Sequence, residues 1–558
     1  MRRVVAVVLA TMLLFGLAAC GGDVQSSSVP QESAATGGIS TTTQTSREES
    51  TTSSSADSST TVSRTRTTTV GTSGVTTTRQ EVADWEKPVT SNTAILYNEK
   101  HSSYDGEAEK MRLAIVNAKS VVTASTAANK TYYISPKGND ANDGLSPATA
   151  WRTLDKLYLT GRFKSGDVVL LERGAVYRGH MALTSGVSYG AYGTGAKPAI
   201  YGSPQNYADP ALWTKTEREN VWRLTVEPSI GDVGNIVFDH GKVCASDFKQ
   251  VKNTLTEEFA FHHDDVHGYI YLYLSAGNPG DLYDSIEICP KEHVLSSSAK
   301  DGSLSNVAID NLCIKYGGAH GLGLGTSENI TITNCEVGYI GGSMQSSSVR
   351  YGNGIEFWSH ATNIVVKNNW IYQCYDAGYT NQGDGARHTD LLIKDNLIEY
   401  CNYNIEIFGS AVRADGSIKG LLKNCVYEGN VLRFAGYGFG TNNRIGSNDS
   451  VTSNVCYWRG KIPSENVVIR NNVLDTSYRF LLVAAYVNGQ YELAPKVTGN
   501  TWIQHNGPKS AVALQVDTDE QGWDNHAQYE LKSKDLAQMT MSVNAIDLAP
   551  KAILHEGK

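Results

Sequence analysis

Ile364-Val-Val-Lys-Asn-Asn-Trp-Ile371 is followed, one short interval later, by Leu391-Leu-Ile-Lys-Asp-Asn-Leu-Ile398. The two stretches agree position by position: apolar, any, apolar, polar, Asn or Asp, two more residues, apolar. The same text occurs at Val307-Ala-Ile-Asp-Asn-Leu-Cys-Ile314, Ile330-Thr-Ile-Thr-Asn-Cys-Glu-Val337 and Val467-Val-Ile-Arg-Asn-Asn-Val-Leu474. Weaker copies lie at Cys425–Leu432 and Val497–Ile503. Alternation with period two reads as a strand with one buried face. The Asn or Asp that follows suits a bend, because its short polar side chain tolerates the left-handed conformation. Five copies carry Asn one residue further on, at Asn369, Asn396, Asn430, Asn472 and Asn500, with spacings of 27, 34, 42 and 28 residues. One coil of a solenoid with inserted loops explains an interval that varies while the motif does not. Stacked coils bring these amides to about 4.7–4.9 Å, close enough for a hydrogen-bonded ladder. Cys374 and Cys401 each follow their Asn by five residues and should stack as small buried hydrophobes.

Composition agrees with many short strands. The chain has 558 residues, with 53 Gly, only 14 Pro, and 29 Tyr against 11 Phe. A net charge of −9 argues against a general nucleic-acid binder, which needs a basic face. Nine Cys are too sparse for a disulfide scaffold. A self-sufficient coil stack leads us to expect a monomer.

The N-terminus reads as an address. Arg2 and Arg3 precede an apolar run, Val4–Ala19, of 16 residues, which is shorter than the roughly 20 needed to span a bilayer. Leu17-Ala18-Ala19-Cys20 resembles a bacterial lipobox. That resemblance implies a signal peptide over 1–19, cleavage before Cys20, a lipid on its sulfur and a place at the cell surface. Residues 23–82 contain 31 Ser or Thr and no aromatic residue. Such a segment cannot bury enough surface to order itself, so 20–82 reads as a flexible tether with a reach of roughly 40–45 Å. Residues 83–130 are transitional, with a helix expected over Gly106–Val122 and Asp105 as its N-cap.

From Thr131 the chain is β-rich. The repeat resembles right-handed parallel β-helix proteins of the pectin lyase-like group. The opening Tyr132-Tyr-Ile-Ser-Pro-Lys-Gly-Asn-Asp-Ala-Asn-Asp-Gly144 adds to the likeness, as do Gly166-Asp-Val-Val-Leu-Leu171 and Gly174-Ala-Val-Tyr-Arg-Gly179. The resemblance implies an all-β solenoid over 131–510, closed by a C-terminal cap at 511–558. It also implies a secreted carbohydrate-active protein. It does not choose a reaction, since the group holds lyases, hydrolases, epimerases and non-enzymes.

The repeat register selects the candidate chemistry. About ten residues past the bend, or twenty where the insertion Gly341–Arg350 intervenes, lies a second strand: Gly321–Leu324, Gly354–Trp358, Gly378–Gln382, Asn404–Phe408, Gly438–Asn442 and Leu481–Ala485. Aligned, Gly323, Glu356, Thr380, Glu406 and Gly440 share one outward column, while Leu322, Ile355, Tyr379, Ile405 and Phe439 point inward. Glu356 and Glu406 should face one groove from alternate coils, with Asp376 a little upstream. Paired carboxyls suit glycoside hydrolysis, at about 6.5–9.5 Å for inversion and about 5–5.5 Å for retention. Trp358, Tyr375, Tyr379, Asn381, Gln382, Tyr403 and Phe408 offer sugar rings apolar faces and hydroxyls polar partners. Thr380 lies between the two glutamates, and His320, Asn353 and Arg444 are further substrate-binding candidates. The loops Gly341–Arg350 and Gly383–His388 are expected at the rim.

Two polar clusters are read as structural. His262-His263-Asp264-Asp265 with His267 reads as a hairpin turn rather than a metal site, and Asn139–Gly144 as an Asx-rich turn without the spacing of a Ca²⁺ loop. No metal or cofactor is expected for a hydrolase. A polysaccharide lyase on this fold would abstract a proton beside a uronate carboxyl, often with Ca²⁺. A third reading is a non-catalytic glycan-binding surface protein.

Overall fold

A computed structural model describes residues 86, 100–159, 161–244, 247–248, 254–346, 349–409, 420–442, 452–459, 464–485, 495–505, 512–517, 526–530, 548–549 and 551–556. Cys20, the Ser/Thr-rich stretch and Arg444 lie outside them. The described body is a right-handed parallel β-helix whose coils visit three sheets in turn. One coil runs Ala361–Lys367 in the first sheet, Trp370–Cys374 in the second and Ala377–Gln382 in the third. The next repeats this as Arg387–Lys394, Leu397–Glu399 and Tyr403–Gly409.

The repeated motif is the first-sheet strand, the bend and the start of the second-sheet strand. Val366 pairs with Ile332 on one side and Ile393 on the other. Ile309, Ile332, Val366, Ile393, Tyr427 and Ile469 form a single buried stack. Each such side chain contributes roughly 1.5–3 kcal/mol by leaving water. At the bend, Asn311, Asn334, Asn368, Asp395 and Asn471 hold φ between 52° and 64°, the left-handed turn expected of the motif's fifth position.

The next residue builds the ladder. The Oδ1 of Asn396 accepts from the backbone N–H and the Nδ2 of Asn369, both at 3.0 Å. Its own Nδ2 donates to Asn430 Oδ1 and to Val366 O, both at 2.9 Å. Asn430, Asn472 and Asn500 continue the series. All five amides are buried. A second, exposed ladder runs along the first sheet, from Asn363 to Asn329 to Asn306. Cys374 and Cys401 are buried thiols at equivalent places in successive coils, and burial pushes the Cys374 thiol well up.

The structure departs from the sequence reading in four places. The solenoid is interrupted after Ala199–Tyr201 by two mainly antiparallel sheets with a core of their own, built around Phe238, Phe261, Ile270 and Ile288. The coil resumes at Leu295–Ser297, which pairs directly with Met181–Leu183. The expected hairpin at His262–His267 belongs to this insertion, joining Ala260–Asp264 to Tyr269–Tyr273. Second, the solenoid does not stop at 510: Val512–Asp517, Leu548–Ala549 and Ala552–Glu556 add parallel strands to the third, first and second sheets. Third, the helix is Asp105–Val116 and its N-cap is Tyr104, without a side-chain cap. Asp105 is instead drawn to Arg433 on the outer face of the second sheet. Fourth, Gly438–Asn442 is not a strand; Phe439–Asn442 is a short helix, and the strand of that coil is Ser453–Arg459. Gly440 lies so close to Tyr375 that an added Cβ would stand 2.2 Å from its carbonyl oxygen.

Asn396→Ala strips partners from two buried backbone groups and from Asn369 and Asn430. We expect a loss of about 2–4 kcal/mol, read as a shift of the denaturant midpoint. Asn329→Ala, on the exposed ladder, costs less than about 1 kcal/mol in the same measurement.

Candidate active site

The third sheet carries the candidate residues. Glu356 pairs with Gly323 and Thr380, and Thr380 pairs with Glu406. The column continues through Cys456 and Val483, not Gly440. Adjacent strands lie about 4.8 Å apart, so the backbones of Glu356 and Glu406 are separated by about 9–10 Å, with Thr380 between them. Two residues along each strand, on the same face, stand Trp358, Gln382 and Phe408. Trp358 is 42% exposed, which is rare for a large apolar side chain in this body.

The glutamates face outward but are not freely solvated: Glu356 is 5% and Glu406 8% exposed. Glu356 Oε2 lies 2.8 Å from His320 Nε2 and accepts from Asn353 Nδ2 at 2.7 Å. His320 Nδ1 accepts the backbone N–H of Asn353 at 3.0 Å. That leaves the ring proton on Nε2, aimed at the carboxylate, so geometry selects the tautomer. Asn353 Oδ1 accepts the N–H of Ala377 at 2.8 Å, which fixes which way its amide points. Burial alone would push the Glu356 carboxyl up. The neighbouring His320, its hydrogen bond and that of Asn353 outweigh burial and hold it below the ordinary glutamate range. Glu406 sits differently: its Oε2 accepts from the hydroxyl of Thr380 at 3.1 Å.

One member of the site has no counterpart in the repeat. His293 stacks on His320, with ring centroids 4.9 Å apart and planes at 13°. Its Nδ1 accepts the backbone N–H of His320 at 3.2 Å. A Cβ on Gly323 would meet the His293 ring at 2.7 Å, so glycine in the glutamate column makes room for it. Burial, with the neighbouring His320, pushes His293 down to about 3, which keeps its ring neutral. Tyr351 stands edge-on to His320 at 5.0 Å. Tyr351 ends the strand pair Ser343–Ser346 and Val349–Tyr351, which places this insertion at the rim as the loop reading expected.

Other candidates fall elsewhere. Tyr379 is fully buried in the central core against Phe357 and Tyr427, so it does not share the outward face of the glutamates. The period-two alternation that points Thr380 outward turns Tyr379 inward. Asn381 is inward for the same reason, accepting from Tyr427 at 2.7 Å. Tyr403 is 9% exposed and packs with Ala377, Cys456, Phe480 and the partly buried Phe408, forming an apolar wall beside Glu406. Asp376 occupies the corner before Ala377, ahead of the glutamate column, where its carbonyl accepts the N–H groups of Asn402 and Tyr403. The Asn139–Gly144 segment is a set of Asx turns: Asn139 accepts from Ala141, and Asp143 from Leu145.

No protein-family model matches the chain, and no curated protein matches its sequence. Among solved structures it resembles XylC in complex with xylose, at TM-score 0.42 and 10% identity over 76% of this chain and 83% of that one. Pectate lyase Pel9A is similar at TM-score 0.30 and 11% identity, over 76% and 87% of the two chains. An exopolygalacturonase from Thermotoga maritima is similar at TM-score 0.30 and 14% identity, over 68% and 89%. At these identities the chemistry of the site rests on its own residues.

Proposed function

We propose that the chain is a glycoside hydrolase that cuts a polysaccharide in the third-sheet groove, with Glu356 and Glu406 as the carboxyl pair. The observation that carries this reading is the placement of two outward glutamates, two strands apart with Thr380 between them, in unlike environments. Unlike environments are what separate an acid from a base in a carboxyl pair. Glu356, held ionised by His320 and Asn353, takes the base role. Glu406 takes the acid role. The proton of Glu406 passes to the glycosidic oxygen as the bond to the anomeric carbon breaks. A water on the opposite face of the ring attacks that carbon and gives its proton to Glu356. Strands two apart suit the wide spacing of inverting enzymes, which leaves room for that water. Exposed Trp358 stacks a sugar ring, and Gln382 binds a hydroxyl.

Glu356→Gln and Glu406→Gln should each cut turnover at least about a hundredfold, with KM changed far less. Polysaccharide digests should show new reducing ends of inverted anomeric configuration by proton NMR. Full activity in both variants rejects the pair. Products carrying a ring double bond, formed only with added Ca²⁺, move the reading to a lyase.

The pH dependence has a definite sign. A carboxyl held below its ordinary range keeps its base function on acidification until the pH falls through its own depressed pKa. Asn353→Ala removes a donor to the ionised form and so raises that pKa. The acid limb of kcat/KM should move to higher pH in Asn353→Ala, while the basic limb stays in place.

We also infer that Cys20 carries a lipid and that 20–82 tethers the enzyme at the cell surface. The Leu-Ala-Ala-Cys site supports this. Cys20→Ser should shift the protein from the membrane fraction to the soluble fraction, measured by fractionation and immunoblot.

A further inference from the structure

A cavity lies far from the glutamates in the coil order, beside the first coils. It has a volume of about 930 Å³, within the size range of small-ligand sites. Its walls include Tyr133, Arg173 and Tyr192 from the early coils, Lys119 and Ser120 from the segment after the helix, and Thr194 from an exposed turn. The two tyrosine rings meet edge to face at 5.1 Å.

The charge balance here is unusual for an acidic chain. Among the described residues, no carboxylate lies within ion-pair distance of Arg173; its Nη2 donates to Ser120 Oγ at 2.9 Å. The acid whose charge acts on Arg173 is Asp310, whose oxygens are already taken. Its Oδ2 accepts from the backbone of Val121 at 2.7 Å and Val122 at 3.2 Å, and its Oδ1 from Thr333 at 3.0 Å and Asn334 at 2.8 Å. Glu172 is likewise engaged, by Ser135 and by Lys137 at 3.3 Å. Behind the wall, Lys197 is buried and donates to the neutral Asn311 at 2.6 Å. Burial pushes Lys197 down to about 8, and the charge of Arg173 adds to that. The helix end that borders the cavity offers little compensation. Leu113 O already accepts from Asn117, and Ala118 O from Asn311.

A half-buried guanidinium with spare donors, facing an open cavity, is what a carboxylate needs for forked recognition. Two tyrosines and two hydroxyls beside it suit a sugar ring. We propose that this cavity is a second saccharide site, selective for an acidic sugar whose carboxylate docks on Arg173 and whose ring lies against Tyr133 and Tyr192. It would hold the polymer away from the cleaving groove. The sugar class rests on the polysaccharide reading above; the anion selectivity rests on Arg173.

Calorimetric titration of the full chain with a galacturonate trimer, and with its fully methyl-esterified form, tests this. The acid should bind, and the ester, which keeps the ring and loses the charge, should bind at least about tenfold more weakly. Arg173→Gln should lose the same binding component. So should Thr194→Trp, which fills the cavity mouth from an exposed turn and decides the matter should Arg173→Gln misfold. Thr194→Trp should leave cleavage of short substrates unchanged. Equal binding of the ester, absence of acid binding, or full affinity in Thr194→Trp overturns the proposal. Glu356→Gln should retain this component whichever way the cleavage assay falls, so the two readings fail separately.

Discussion

The buried asparagine ladder is the constraint on which the rest depends. Each amide bridges its own coil and the next, and each also ties a backbone carbonyl of a neighbouring strand. Hydrophobic stacking favours burial but says little about register, since Ile, Val and Leu are interchangeable along a continuous apolar column. An amide that must satisfy four partners tolerates no slip. A shift of one residue would also turn every side chain of the affected strand to the opposite face. Loops of different length can then be inserted between coils without disturbing the sheets, because the bend resets the register each time. The glutamates share one column of the third sheet only because Asn369 and Asn396 have already aligned the coils that carry them.

The outer face of the second sheet shows the same logic with charges. Lys315 pairs with Glu336 at 2.7 Å, while Arg433 joins Glu399, Asp475 and Asp105. Trp370 Nε1 donates to Glu399 at 2.9 Å, and the Arg112 guanidinium lies 5.2 Å from the Trp370 ring centroid. Breaking one member of such a network strands its partners in a poorly solvated place, which is costlier than the intact pair is favourable. The helix Asp105–Val116 is therefore held by polar contacts of defined geometry, as well as by apolar packing of Ile115 and Val116. This explains why a segment with little sequence character beyond its helical composition takes one position on the solenoid.

What the sequence disclosed follows from how local each signal is. Strand alternation and the left-handed Asn or Asp are properties of a few neighbouring residues, so five copies could be read directly. The glutamate column needed the bend, a count of about ten residues and recognition of the insertion that lengthens the interval before Glu356, and the column survives in the sheet. The failures come where a count crosses something irregular. Gly438–Asn442 imitates the strand text, but its glycine is there for a close approach to Tyr375, and the strand comes later at Ser453. The inserted antiparallel sheets carry no repeat, because their core is internal to them. His293 follows that insertion directly, so no neighbouring copy marks it, although it stacks on His320 in space. Tyr379 was misassigned for a different reason: aromatic composition suggested sugar stacking where the alternation already pointed the ring inward.

The two glutamates also show why burial and outward direction are separate questions. A residue can face away from the solenoid core and still be shielded, if adjacent coils raise side chains around it. Glu356 has His320, Asn353 and Tyr351 about it, and Glu406 has Thr380 and the Tyr403 cluster. Shielding strengthens each hydrogen bond and makes each unpaired charge more expensive. Glu356 meets that cost with two donors from consecutive coils, one of which has its tautomer set by a backbone N–H. The chain of restraints therefore runs from backbone to imidazole to carboxylate, and the carboxylate is held in one orientation by the fold itself. Preorganisation of that kind cannot be supplied by a surface glutamate on a mobile side chain. It requires a fold in which three successive coils present side chains at one height, and a parallel β-helix does so at each level of the stack.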